Sequence, residues 1–215
     1  MIGLILVAAG SGQRLGADIP KALIRVAGES LIGHCLATAA TVVGIDHVVV
    51  VAPEREVAAL QQQAPAVTVV AGGQTRDASV RAGLEALPGC SHVLVHDAAR
   101  PFTPAEVFER VIAALQEGAV SVVPALPVAD TIKRVRDGLV LQTLDRAELV
   151  AVQTPQGFRT DALWAAHEAR TGEVTDDAML MEQTGVQVRV VTGSDHAFKI
   201  TTPFDLAVAR AMREQ

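Results

Sequence analysis

The chain has 215 residues, half of them apolar and only 3% aromatic, with no tyrosine, so it suits one domain whose core is Val, Leu, Ile and Ala. Its net charge of −6 argues against a nucleic-acid partner, because a surface that binds a phosphate backbone is basic overall. No run reaches the length of a membrane span, and the apolar start has no basic stretch before it and is too short for a secretory signal, so no membrane partner is expected.

The first element is an apolar run over residues 2–7, of the length of a buried parallel strand. It breaks into Ala8-Ala9-Gly10-Ser11-Gly12, residues too small to keep a ligand from the backbone, whose N–H groups can then turn toward phosphate oxygens. Two cations follow, Arg14 and Lys21, with Pro20 stiffening the approach to Lys21. Strand, small-residue loop and spaced cations together suit a polyphosphate. The glycines do not complete a dinucleotide fingerprint, since Leu15 stands where the third glycine belongs, and no Gly-Lys-Ser/Thr of a P-loop occurs. On the glycines alone, a simple turn after the first strand of an α/β domain fits as well.

Ser30 is placed to cap a helix with apolar Leu31, Ile32, Cys35, Leu36 and Ala39. A strand is expected over residues 47–52, a helix from Pro53 to about Gln63, and a strand over 67–70. This β-α-β-α-β rhythm predicts a parallel sheet with helices on both faces, with ligands beyond the C-terminal strand ends. Residues 71–79 then carry Gly72 and Gly73, which allow close backbone approach, with Ser79 read as exposed in the first turn of a helix bearing Val80, Leu84 and Leu87. The next strand, 92–96, ends in His96-Asp97-Ala98-Ala99-Arg100-Pro101. An Asp there can cap a turn or hold Mg²⁺ against phosphate oxygens. His96 reads as structural, and the six scattered histidines offer no ligand pair.

Thr103-Pro104-x-Glu106 reads as a capping-box helix start, and residues 119–125 as another strand. Asp137-Gly138 between β-prone runs is a hairpin signal. Its flanks are charged, so the hairpin is expected to project as an arm, either onto a second subunit or back onto its own domain. Residues 150–154 resume strand character, and Thr160 and Asp161 start a helix. Thr175-Asp176-Asp177 reads as an N-cap with two acids in the first turn. The last strand is expected over 186–191, and Thr202, Pro203 and Asp205 mark the last helix start. Lys199 before it would ordinarily be a solvated lysine. Cys35 and Cys90 lack metal-ligand spacing and read as buried thiols of a cytoplasmic protein.

Several of these segments form recognisable patterns: A-A-G-x-G-x-R-x-G then P-K (residues 8–21), G-G-x-x-R-x-x-S (72–79), H-D-A-A-R-P (96–101), D-T-x-K (130–133) and T-P-Q-x-F (154–158). Together they resemble the nucleotidyltransferases that make nucleotide-diphospho-sugars and -alcohols, and within them the 2-C-methyl-D-erythritol 4-phosphate cytidylyltransferase family, over nearly the whole chain. The resemblance implies an α/β fold with a Rossmann-like, mostly parallel twisted sheet, helices on both faces and a protruding β-hairpin arm. It implies one nucleotidyltransferase domain over 1–215 with the arm inserted at about 127–148. The implied substrates are CTP and methylerythritol 4-phosphate, with Mg²⁺ on Asp97 and a homodimer formed through the arm.

By the same resemblance, Arg14, Lys21, Arg146 and Lys199 are catalytic. Ala8, Ala9, Gly10, Ser11, Gly12, Gly73, Gln74, Ser79, Asp97, Arg100, Thr131, Thr154 and Thr175 contact substrate. Where the family more often has Asp-Glu, this chain has Asp176-Asp177, which leaves the role of Asp177 open. Rival readings are a cytidylyltransferase for another polyol phosphate, such as ribitol 5-phosphate, and a non-catalytic nucleotide-binding regulatory subunit. The latter would be expected to lose Arg14, Lys21 or Asp97, and all three are present.

Overall fold

The computed structural model describes residues 1–10, 19–172 and 174–213. Strand β1 (Ile2–Val7) is followed by a two-residue ladder, β2 (Arg25–Val26) and β3 (Glu29–Ser30), and by α1 (Leu31–Ala39). Ser30 caps α1 by accepting from Gly33 N–H at 3.0 Å, as its position suggests. Then come β4 (His47–Ala52), α2 (Glu54–Gln63), β5 (Thr68–Ala71), α3 (Arg76–Glu85), β6 (His92–Asp97), α4 (Ala105–Gln116) and β7 (Ser121–Pro127). The second half adds β8 (Lys133–Arg136), β9 (Leu139–Thr143), β10 (Val150–Val152), β11 (Gln156–Arg159), α5 (Thr160–Glu168), α6 (Asp177–Gln183), β12 (Val188–Thr192) and α7 (Pro203–Ala211).

β1 lies inside an eight-stranded sheet, parallel to β4 on one side and β6 on the other, with β5 parallel to β4. β11 runs antiparallel between β6 and β7, β10 pairs antiparallel with β7, and β12 pairs parallel with it. The sheet is therefore mostly parallel with an antiparallel insertion. Side chains of β1 alternate between two cores, as a strand buried on both faces requires. Ile2, Leu4 and Leu6 meet residues of α1, α2 and α4, including Ile32, Leu60, Val111 and Leu115. Ile5 faces α3, α5 and α6 with Val80, Leu84, Leu163 and Leu180. Each such side chain, removed fully from water, contributes about 1.5–3 kcal/mol. A smaller cluster, with Ile24, Leu31, Phe102, Ile200 and Ala209, seats α7. Among the described residues, no helix is long and apolar enough to cross a membrane.

At three helix starts a side chain is placed otherwise than the sequence suggests. α3 is capped by Thr75, whose hydroxyl accepts from Ala78 N–H at 3.3 Å, and this draws Ser79 inside the helix, where it is buried. Thr103 is no capping-box residue. Its buried hydroxyl donates to the Arg100 carbonyl at 3.0 Å, closing the turn after β6, and α4 starts after Pro104 with no side-chain cap. At α6 the cap is Asp176, which accepts from Met179 N–H at 2.9 Å, while Asp177 turns inward and is buried. The start of α7 is as expected, with Thr202 and Asp205 forming a reciprocal capping box around Pro203.

β8 and β9 form a separate two-stranded sheet, the projected hairpin. Asp137 and Gly138 have φ of +50° and +77°, the left-handed pair that a two-residue type I′ turn demands. Every residue of both strands is exposed, including Val135, Leu139, Val140 and Leu141.

Candidate active site

A cavity of about 470 Å³ opens at the C-terminal ends of β1 and β6, beside the loop that leads from β5 into α3. The sheet ladder itself aims three loops at it. Ala8 N–H donates to Val51 O at 2.8 Å, Gly72 N–H to Ala52 O at 2.8 Å, and Ala98 N–H to Val7 O at 3.1 Å, each one step past its strand. Ala8, Ala9 and Gly10 form one wall, Gly73, Gln74 and Ser79 another, and Lys21, Asp97 and Lys199 complete it. Gly72 lets the first two walls meet: a Cβ there would lie 2.7 Å from Ala9 Cβ and 2.9 Å from Ser79 Oγ. Ser79 Oγ donates to Thr75 O at 2.9 Å, so its lone pairs are what it can offer a ligand.

Asp97, the last residue of β6, is the charged centre. Its Oδ2 accepts from Lys199 Nζ at 2.6 Å, and its Oδ1 faces Arg76 Nε at 3.4 Å. Burial alone would favour the protonated acid. Arg76, Lys199 and Arg100 outweigh it and hold the Asp97 carboxyl well below the usual carboxylate range. Arg76 in turn donates from Nη1 to Asp177 Oδ2 at 2.6 Å. Burial opposes the Arg76 charge, yet the two carboxylates hold its proton more firmly than usual. Lys199 reaches the site because Ile200 N–H donates to Ala99 O at 2.9 Å, tying the segment before α7 to the loop after β6.

A second set of residues sits behind the cavity. Asp97 N–H donates to Thr154 Oγ1 at 3.1 Å. That leaves the hydroxyl hydrogen for His96 Nδ1, 2.9 Å away, so Nε2 carries the ring proton toward Arg100 O at 3.2 Å. Burial lowers His96 to about 4, so the ring is neutral at pH 7. Both nitrogens are occupied, which leaves His96 structural, as its sequence context suggests. Arg100 donates from Nη1 to Ala197 O at 2.6 Å and from Nη2 to Val152 O at 3.4 Å, stapling neighbouring segments.

The structure thus brings Ala8, Ala9, Gly10, Lys21, Gly73, Gln74, Ser79, Asp97 and Lys199 together. Thr154 and Arg100 stand behind this group rather than on the cavity wall. Thr175, Thr131 and Arg146 do not line the cavity of their own chain. Thr175 is exposed, with Oγ1 3.7 Å from Met179 Sδ, and Arg146 is exposed near the base of the arm, donating to Ala129 O at 2.6 Å. Ser11, Gly12 and Arg14 lie outside the described residues. The sequence assigns Arg76 no role of its own, and its partner Asp177 reads there only as an acid in the first turn of a helix. The only signal for Arg76 was its place inside the 72–79 pattern.

Among the described residues, no three His, Cys, Asp or Glu side chains cluster, and Asp97 is the one carboxylate on the cavity wall. That donor set does not suit an all-protein metal cage. It fits Mg²⁺, which is commonly held by one or two carboxylates with the phosphates of a substrate.

Comparison with known proteins agrees with this geometry. The chain is 49% identical over 217 residues to a 2-C-methyl-D-erythritol 4-phosphate cytidylyltransferase of Saccharopolyspora erythraea, covering 97% of each. It is 48% identical to a bifunctional enzyme, IspD/IspF, of Clavibacter michiganensis subsp. michiganensis, covering 98% of this chain but spanning 54% of that protein. Its fold is similar to the crystal structure of 4-diphosphocytidyl-2C-methyl-D-erythritol synthase from Anaerococcus prevotii, with a TM-score of 0.89, 32% identity, and coverage of 100% of this chain and 99% of that one. The family model described as 2-C-methyl-D-erythritol 4-phosphate cytidylyltransferase matches residues 2–215, and the chain belongs to that family.

Proposed function

We propose that this chain transfers the cytidylyl group of CTP to 2-C-methyl-D-erythritol 4-phosphate, releasing pyrophosphate and forming 4-diphosphocytidyl-2-C-methyl-D-erythritol, a step of the methylerythritol phosphate route to isoprenoid precursors. One observation carries the chemistry: Lys21, Arg76 and Lys199 line one cavity with an ionised Asp97 and the small-residue loop after β1. The attacking group is a phosphate monoester, whose second pKa of about 6 makes it a dianion near pH 7. It needs no general base, and the neutral, doubly bonded His96 is not placed to act as one.

The obstacle is charge, because two anions must meet while more negative charge develops on the equatorial oxygens of the transferred phosphoryl group and on the leaving pyrophosphate oxygen. Preorganised cations and amides lower that barrier. Lys21, with Arg14, is assigned to the α-phosphate and the leaving group, and the amides of residues 10–12 to the triphosphate. Gly73, Gln74 and Ser79 are assigned to the nucleoside. Lys199 and Arg146 position the attacking phosphate. Asp97 would hold a Mg²⁺, which when bound would offset negative charge on the substrate phosphates.

The arm supplies the remaining groups from a second copy. A lone two-stranded hairpin is marginal in water, and this one exposes Val135, Leu139, Val140 and Leu141. In a homodimer these side chains are covered, and Thr131 and Arg146 complete a site with the cavity of the other copy. The buried thiols suit the cytoplasm, with burial pushing Cys35 up to about 12, where it stays an inert thiol.

The test is pyrophosphate release from CTP with Mg²⁺, comparing methylerythritol 4-phosphate with ribitol 5-phosphate, and CTP with UTP and ATP. Turnover with CTP and methylerythritol 4-phosphate is expected. Turnover only with ribitol 5-phosphate would overturn the choice of alcohol, and CTP binding with no turnover would overturn catalysis.

A further inference from the structure

The charges on the cavity wall are held from behind by a residue that is not on that wall. Asp177, the first residue of α6, is 1% exposed and meets Arg76 Nη1 at 2.6 Å. Arg76 opens α3 and reaches forward to Asp97, whose other oxygen meets Lys199. Asp177, Arg76, Asp97 and Lys199 therefore alternate in sign across four segments that are distant in sequence.

The two ends of Arg76 are not equal. A charge-assisted N–H···O bond to a carboxylate normally spans about 2.7–2.9 Å. The contact to Asp177 is that short, whereas the one to Asp97 is 3.4 Å. The guanidinium is drawn back from Asp97, and Oδ1 of Asp97 keeps capacity for a ligand. Asp177 can act as this anchor because its helix start is bolted to the sheet. Gln156 of β11 donates to Asp176 Oδ2 at 2.8 Å and accepts from Ala178 N–H at 3.2 Å, gripping α6 on both sides of Asp177.

We infer that Asp177 is a positioning residue of the nucleotide site, acting through Arg76 to keep Asp97 oriented and open toward the bound triphosphate. The inference rests on the proposed cytidylyl transfer for its turnover readout, but CTP affinity reads it independently. Without Asp177 the guanidinium closes onto Asp97 or swings into the cavity. A misplacement of about 1 Å can cost on the order of 100-fold in rate.

The experiment compares Asp177→Asn, Arg76→Gln and the double variant with wild type, each well below its own thermal midpoint, by calorimetric CTP affinity, kcat and KM. Asp177→Asn is expected to bind CTP about tenfold or more weakly and to lose kcat. The double variant should be no worse than Arg76→Gln alone, since residues acting through one contact are not additive. Wild-type affinity and kcat in folded Asp177→Asn, or losses that add in the double variant, would overturn the inference. If Asp177→Asn does not fold, the double variant decides against Arg76→Gln: equal values support the relay, and a further loss overturns it. A wild type that binds CTP but does not turn over would sink the proposed reaction while leaving the affinity comparison to judge Asp177.

Discussion

Where β1 and β6 end, charged side chains are packed against one another and fixed by the chain that carries them; in the arm, β8 and β9 hold four large apolar side chains exposed. In the cavity, Asp97 has its backbone held by Thr154, its oxygens by Lys199 and Arg76, and Arg76 by Asp177. The arm has its ladder and its turn, and little else. The contrast separates two tasks. Stabilising a phosphoryl-transfer transition state needs dipoles and charges that are set beforehand, and a folded core sets them. On the proposed reading, presenting Thr131 and Arg146 to a second copy would need reach, and the exposed apolar strands would be the surface that holds that copy.

The contrast can be broken or sharpened in five ways. Phe158→Ala removes a fully buried ring beside β6 and is expected to cost about 3–5 kcal/mol of stability by denaturant midpoint. Lys21→Ala should leave the fold intact and cost about 2.7–4 kcal/mol of activation free energy, on the order of 10²–10³ in turnover. Unchanged turnover in the purified variant would remove Lys21 from the mechanism.

A pH series probes the layer behind the cavity. Unfolded His96 takes a proton near 6.5 and the buried ring not until about 4, so between these values the unfolded chain holds the extra proton. Stability should therefore fall as pH drops through that window, by about 3 kcal/mol in all. His96→Asn should flatten the decline measured by urea midpoints, and an unchanged slope would contradict the neutral assignment. Thr202→Ala removes the capping-box hydroxyl of α7 and should cost about 1 kcal/mol. Smallest in stability is Leu139→Glu on the arm, within about 0.5 kcal/mol for the separate chain. That change should nevertheless shift sedimentation from dimer toward monomer, and a dimer unmoved by it would argue against the arm as the contact.

Much of the fold was readable because it depends on neighbours in sequence. The apolar run at residues 2–7, the Asp137-Gly138 turn and the Thr202 box each carry their own local reason. The cavity was readable where short patterns end strands, as at Ala8, Gly73 and Asp97. What escaped were pairings that only the closed sheet creates. Arg76 and Asp177 are 101 residues apart, and nothing near either in sequence announces the other. Asp177 looked like one of two capping acids, but one side chain suffices for the cap and Asp176 supplies it. Thr103 misled for a related reason: its hydroxyl serves the Arg100 carbonyl in a buried turn, a demand invisible from helix signals. Ser79 was read as exposed in its first helical turn, yet with Thr75 as the cap of α3 its side chain turns inward and is buried.

The most direct test mixes two variants, Lys21→Ala with an impaired cavity and Arg146→Ala with an impaired arm. If each site combines the cavity of one chain with the arm of another, mixed dimers contain one intact site. Activity should then return to about a quarter of wild type on random pairing of subunits, although each variant alone is nearly inactive. A mixture no more active than its parts, from chains shown to exchange, would contradict the shared site, as would full activity in Arg146→Ala alone.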